Sequence, residues 1–228
     1  AADGSVAVGY HALRLLTSGI GNTAVGFQAL DAENDGDFST AIGYQALSAQ
    51  EGITGSVHNT AVGYQAGALL TSGKLNTIIG AHAMAGGAVE GDDNVAAGQG
   101  AGYSLTTGAQ NVLLGRDAGV ALTAGGGNVV VGHRALDAAA VGEEENIAIG
   151  RDAMSAVDEG IAGGDADFNI AIGYNALLGG DFASSDLQLQ GNIAIGAYAL
   201  DATGAQASTG VVAIGHNALT AFTGTVGK

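Results

Sequence analysis

Apolar and polar positions follow a nine-residue pattern that returns twelve times along the chain: Asn, β-branched, small, aliphatic, Gly, two variable residues, Ala, Leu. Its glycines are Gly9, Gly26, Gly43, Gly63, Gly80, Gly98, Gly115, Gly132, Gly150, Gly173, Gly196 and Gly215, spaced 17 to 23 residues apart. Three places before the glycine the residue is β-branched in every copy, which is a strand signal. One place before it sits an aliphatic residue, with Ala97 the small exception, and these two positions share a face. The residue between them is Ala in nine copies and Ile78, Leu113 or Val130 in the others. Each copy therefore predicts a short strand apolar on both faces, and such a strand is buried on both. The rest of its own coil can cover one face, and another copy of the chain is the expected cover for the other.

A period this short makes each copy one coil of a solenoid. The 228 residues are expected to form a single repeat domain, 1–228, all-β, a parallel β-roll (β-solenoid) of about twelve coils. At about 4.8 Å per coil the rod is roughly 55 Å long. The motif glycine, as at Gly26, Gly63, Gly115, Gly173 and Gly196, predicts a bend or a backbone approach too close for a Cβ. Asn opens nine copies, among them Asn22, Asn59, Asn111, Asn169 and Asn192, with Ser5, Ser39 and Val211 in the remaining three. A short polar side chain at a corner bonds nearby backbone, and stacked copies form an Asn ladder. The Ala-Leu pair is expected to start a second inward-facing segment. Stretches such as Leu16-Thr17-Ser18-Gly19 and Leu70-Thr71-Ser72-Gly73 predict outer loops.

Composition narrows the function. Hydrophobic residues make up 47% of the chain, but only 6 Tyr and 5 Phe are among them, so the core is thin and built from small side chains. With 6 basic against 22 acidic residues the formal charge is −16, which opposes binding to nucleic acid or to anionic lipid. No Cys is present, which excludes disulfides, thiolate metal sites and cysteine nucleophiles. No run of 18 apolar residues suggests membrane insertion. The absence of Pro suits strands with neighbours on both sides.

The phrases Asn59-Thr60-Ala61-Val62-Gly63-Tyr64-Gln65-Ala66 and Asn169-Ile170-Ala171-Ile172-Gly173-Tyr174-Asn175-Ala176-Leu177 resemble repeats of bacteriophage tail fibres and the head repeats of trimeric autotransporter adhesins. The resemblance covers essentially the whole chain. It implies a left-handed roll, three chains packed side by side as a homotrimer, and an extracellular, cell-surface or virion location. The coil of 17 to 23 residues is longer than the shortest autotransporter repeats, and neither a coiled-coil stalk, an anchor nor a chaperone is expected after Lys228.

Few residues suggest chemistry. Tyr10, Phe27, Tyr44 and Tyr64 follow the glycine in four successive coils and predict an aromatic ladder, either a structural stack or a contact surface for a cell-surface glycan. His11, His82, His133 and His216 fall just after motif glycines several coils apart, so they are expected to be isolated surface residues rather than a metal site. Acidic clusters at Asp31, Glu33, Asp35 and Asp37, at Glu90, Asp92 and Asp93, and at Glu143, Glu144 and Glu145 predict a solvated acidic surface, with calcium the alternative. No nucleophile elbow or phosphate loop is present and nothing selects a carboxylate pair, so neither an enzyme nor a cofactor is expected.

These observations lead to a non-enzymatic structural and adhesive fibre, the shaft or head of a tail fibre or adhesin. The longer stretches 155–168 and 178–191 are the expected contact loops. Open strand edges near Ser5 and Leu219 also allow end-to-end stacking into a secreted filament. A single-chain module that binds glycan or ice is the remaining alternative, suggested by Thr23, Thr40, Thr60 and Thr77, although Val and Ile replace Thr from Val95 onward.

Overall fold

The computed structural model describes residues 4–51, 54–138, 142–157, 166–179, 188–202 and 208–220. Among them all regular structure is β. Twelve three-residue strands, from Val6–Val8 and Thr23–Val25 to Ile193–Ile195 and Val212–Ile214, form one parallel sheet in sequence order, and the chain is a β-solenoid. Pairing joins equivalent motif positions, as in Val112↔Val129, Leu113↔Val130 and Leu114↔Val131. Variation in the period is therefore absorbed between the strands. Shorter parallel pairs, Gly36–Asp37 with Gly55–Ser56 and Leu189–Gln190 with Ser208–Thr209, continue the stacking in the connecting segments.

After each glycine the chain turns through alternating left-handed residues. The non-glycine residues two and four places beyond the glycine hold φ between 46° and 59°. Such a conformation costs about 1–2 kcal/mol at each L-residue, and bonds between coils offset it. In the second coil Gln28 N–H donates back to the Tyr10 carbonyl at 2.9 Å, while Leu30 N–H donates forward to the Ala46 carbonyl at 3.0 Å. The turning also brings adjacent residues inward together, which no strand does. Ala29 and Leu30, and Ala46 and Leu47, are all fully buried. The Ala-Leu segment thus faces inward as expected, but as a turn.

The core is thin and balanced in volume. Where Gly replaces Leu at the end of the motif, a larger residue fills the space: Ile78 Cδ1 lies 2.8 Å from where a Cβ on Gly67 would stand, and Leu113 occupies the corresponding space at Gly102 and Gly119. The connecting segments are less external than their composition suggests. Leu70, Leu105 and Leu122 close the core from that side and are fully buried.

The strands are not buried on both faces within one chain. Their middle residues, such as Ala24, Ile78 and Ala148, are buried, whereas the residues on either side point outward and remain half-buried or exposed. The coil encloses one face, and among the described residues nothing crosses the other.

Candidate functional site

Two internal columns hold the rod straight and present its outward face. The first is the Asn row. Each of the nine Asn is fully buried. Its Nδ2 donates across the coil to a backbone carbonyl at 2.6–3.0 Å, from Asn22 to Gly36, Asn59 to Gly73, Asn111 to Gly125, Asn169 to Leu189 and Asn192 to Ser208 among others. Its Oδ1 accepts the backbone N–H of the equivalent residue one coil on, as from Asn76 to Asn59 at 2.9 Å and from Asn192 to Asn169 at 3.0 Å. One side chain thus closes its own coil and attaches the next.

The second column is the motif glycine. A Cβ added at Gly26, Gly63, Gly115, Gly173 or Gly196 would lie 2.2–2.7 Å from backbone of the next motif glycine. Their φ of 126–142° is also one that L-residues avoid.

Ser39 interrupts the Asn row, and a second amide takes over its work. Gln50 is fully buried; its Nε2 donates to Ser39 Oγ at 3.1 Å and to Glu33 Oε2, and its Oε1 accepts from Asn59 Nδ2 at 2.9 Å. Glu33, also fully buried, accepts the N–H groups of Asn34, Asp35 and Gly36 at 2.7–3.1 Å. Gln50→Ala would leave the Asn59 and Glu33 groups short of partners and is expected to cost about 2–3 kcal/mol. An unchanged urea midpoint would show that the network does not carry the broken row.

The first acidic cluster is a seam between coils rather than a solvated surface. Asp31 pairs with Arg14 at 2.7 Å, Asp35 accepts the Ser18 and Thr17 hydroxyls at 2.5 and 2.7 Å, and Asp37 accepts the Ile20 N–H at 2.8 Å. The two hydroxyls, Ser18 first, hold the Asp35 carboxyl below the usual carboxylate range. In the later clusters Glu90, Asp92, Asp93, Glu144 and Glu145 are exposed, but Glu143 is fully buried. Asp92 also bonds between coils, accepting the Lys74 N–H at 2.6 Å. Among the described residues no three His, Asp or Glu side chains are grouped so as to hold a metal ion.

The outward face is four rows wide. Counting from the motif glycine, the rows lie five, three and one residues before it and one residue after it, because side chains alternate in and out along this stretch. The two middle rows are the β-branched and aliphatic positions, including Val8, Ile42, Ile79 and Ile214 among the exposed large hydrophobics. The row after the glycine carries Tyr10, Phe27, Tyr44 and Tyr64, all exposed. Their rings stack at 5.4, 5.0 and 5.3 Å between centroids and within 16° of parallel. His11 stacks on Tyr10 at 3.8 Å and His82 meets Tyr64 edge-on at 5.1 Å, so both ends of the ladder are occupied. What the ladder presents to solvent is ring edges. A sugar that stacks on an aromatic face finds those faces already covered.

The remaining histidines are not isolated either. His133 Nε2 lies 2.7 Å from Arg116 Nη2, His216 meets Tyr198 edge-on at 6.1 Å, and His58 stacks on Phe38 at 5.3 Å. Rows in register bring equivalent positions of neighbouring coils together whatever their residue type. Further along the row after the glycine come Arg116, His133 and Arg151, with Arg151 lying 5.4 Å over the Tyr174 ring.

The opposite edge, five residues before the glycine, was not singled out by sequence. It holds Phe38, His58, Leu75, Asp93, Glu145 and Phe168, all exposed and all with φ of 57–61°. Its signal was the period-two continuation of the strand beyond the Asn. The expected contact loops fall largely outside the described residues, which omit 158–165 and 180–187. No family model, curated protein or solved structure matches the chain.

Proposed function

We propose that the chain is a non-enzymatic structural rod, a segment of an extracellular or virion-borne adhesive fibre, which assembles by packing its outward face against further copies of itself. The observation that carries this is the unpartnered four-row face. Seven residues across at about 3.3 Å and eleven coil steps at about 4.8 Å give about 20 by 53 Å, or about 1,000 Å². A stable interface buries about 800 Å² per partner, and the β-branched and aliphatic rows make the centre of this face largely apolar. The edge-on aromatic ladder makes part of one edge row apolar as well. The internal columns supply stiffness, so the loops between strands are free to vary and to meet a cell surface.

Three chains facing a common axis cover all three faces at once, which is the arrangement the tail-fibre and adhesin resemblance implies. Light scattering across a range of concentrations is expected to give a constant mass of three chains. A monomer at every concentration would remove the fibre reading, because the outward face would then be stable against water.

A further inference from the structure

The outward face carries opposite charges on its two edges in one and the same coil. Glu145 lies five residues before Gly150 and Arg151 one residue after it, both exposed. Six residues of extended chain separate them by about 20 Å, so they cannot meet within one copy. Arg151 Nε is engaged by Asp152 at 2.9 Å, but the Arg151 side chain remains 65% exposed against 14% for Asp152. The cation projects beyond its carboxylate.

The same coil-by-coil relation holds for rings. Phe38 and Tyr44 flank the strand Thr40–Ile42, and Phe168 and Tyr174 flank Ile170–Ile172. Phe27 faces the opposite case, since its coil has Gly21 on the other edge. Across each coil a ring at one edge thus faces a ring or a glycine at the other, and over Gly21 lies the Phe38 ring of the next coil.

Rotation about an axis parallel to the rod brings one edge of a face against the opposite edge of the next copy. Closed rotational symmetry allows no translation, so the edges meet at equal coil height. We propose that these two edge rows form one interface between copies of this chain, in which the residue after the motif glycine of one copy packs against the residue five before the equivalent glycine of its neighbour. Arg151 then meets Glu145 of the neighbour, Tyr44 meets Phe38, and Tyr174 meets Phe168. The copies run parallel and in register. An antiparallel pair with aligned ends sets like edge against like edge and reverses the coil order. Glu145 then falls beside His58 and Arg151 beside Tyr64, so Arg151 meets no carboxylate on the face.

This assignment rests on the reading that copies pack through the outward face, and its test separates the two. The chain has no Cys, so introduced cysteines report on single contacts. A chain carrying both Glu145→Cys and Arg151→Cys is expected to form covalent multimers on mild oxidation, since the two positions are far beyond disulfide reach within one copy. Each single variant should stay at least tenfold less cross-linked. Charge exchange gives an independent reading: Glu145→Arg alone and Arg151→Glu alone should each weaken association about tenfold, and the two together should restore it. Oligomers of unchanged mass in which the double cysteine variant stays reduced, or in which His58→Cys with Glu145→Cys cross-links instead, overturn the pairing while self-association stands. A monomeric native chain removes the earlier reading itself.

Discussion

Replacing Gly115 by Ala is expected to break the rod at its seventh coil, at a cost of at least about 4 kcal/mol. Two effects add. An Ala at φ of 135° is strained by about 1–3 kcal/mol. Its Cβ would also stand 2.4 Å from the carbonyl oxygen of Gly132 and 2.7 Å from the carbonyl carbon. Backbone cannot rotate away as a side chain can, so the two coils must separate. That stretches the bonds between them, Val112 N–H to the Asn128 carbonyl and Gly132 N–H to the Leu114 carbonyl, both 2.8 Å in the intact rod.

Gly215→Ala separates the two effects. Gly215 has nearly the same φ, 127°, but a Cβ there meets nothing within 4 Å. It should lose only the conformational part, about 1–3 kcal/mol. In a quasi-one-dimensional array a failed interface divides the cooperative unit, so urea unfolding of the Gly115→Ala chain should resolve into two transitions. Amide exchange should rise first in Val112–Leu114 and Val129–Val131, the strands that flank the clash. Equal losses for the two variants would mean that carbonyl contact is not what fixes the glycine.

The glycine and Asn positions were legible in the sequence because, at a fixed phase, the glycine is invariant and Asn recurs in nine of twelve copies. What followed from register rather than from residue type was harder to see. Phe38, His58, Leu75, Asp93 and Glu145 form one edge of the outward face, yet they share no chemistry and so leave no motif; only continuing the in-out alternation past the Asn would have placed them. The histidines looked isolated when compared only with one another. Their partners, Tyr10, Tyr64 and Arg116 among them, stand on the same or the adjacent coil. Glu33 and Glu143 were expected at the surface for a different reason. A carboxylate is ordinarily a surface group, and Glu33 is held inside by three consecutive N–H groups that exist only once the loop has folded. In Leu-Thr-Ser-Gly the turn residues outvoted the leucine, although Leu70 proved to be core. The outward rows were recognised as apolar, but an apolar row alone does not state what covers it.

Asn111 offers the second large effect, and one whose size can be graded. Asn111→Ala removes four bonds: Nδ2 to the Gly125 carbonyl at 2.9 Å and to Asn94 Oδ1 at 3.1 Å, and those received by Oδ1 from the Asn128 N–H and Nδ2, both 3.0 Å. Asn94 Oδ1 keeps the Asn111 backbone N–H, and Asn128 Nδ2 keeps the Glu143 carbonyl. Two buried groups are left without partners, the Gly125 carbonyl and the Asn128 N–H, at about 1–3 kcal/mol each. With the cavity, the expected loss is about 3–5 kcal/mol. Asn111→Ser should lose roughly half as much, because a hydroxyl here can accept the next N–H, as Ser5 Oγ accepts that of Asn22 at 3.1 Å. Asn111→Asp keeps the acceptor and turns the donor into an anion facing a carbonyl. Burial without a counter-charge raises its folded pKa above the unfolded value. Its stability relative to the parent is therefore greatest at acid pH and is lost as pH rises through the folded pKa. Denaturation at pH 7 should rank Asn above Ser above Ala, and the Asp variant should recover on acidification towards pH 4–5. If Ser and Ala unfold alike, the forward bond to the next coil contributes nothing, and the Asn row closes coils without joining them.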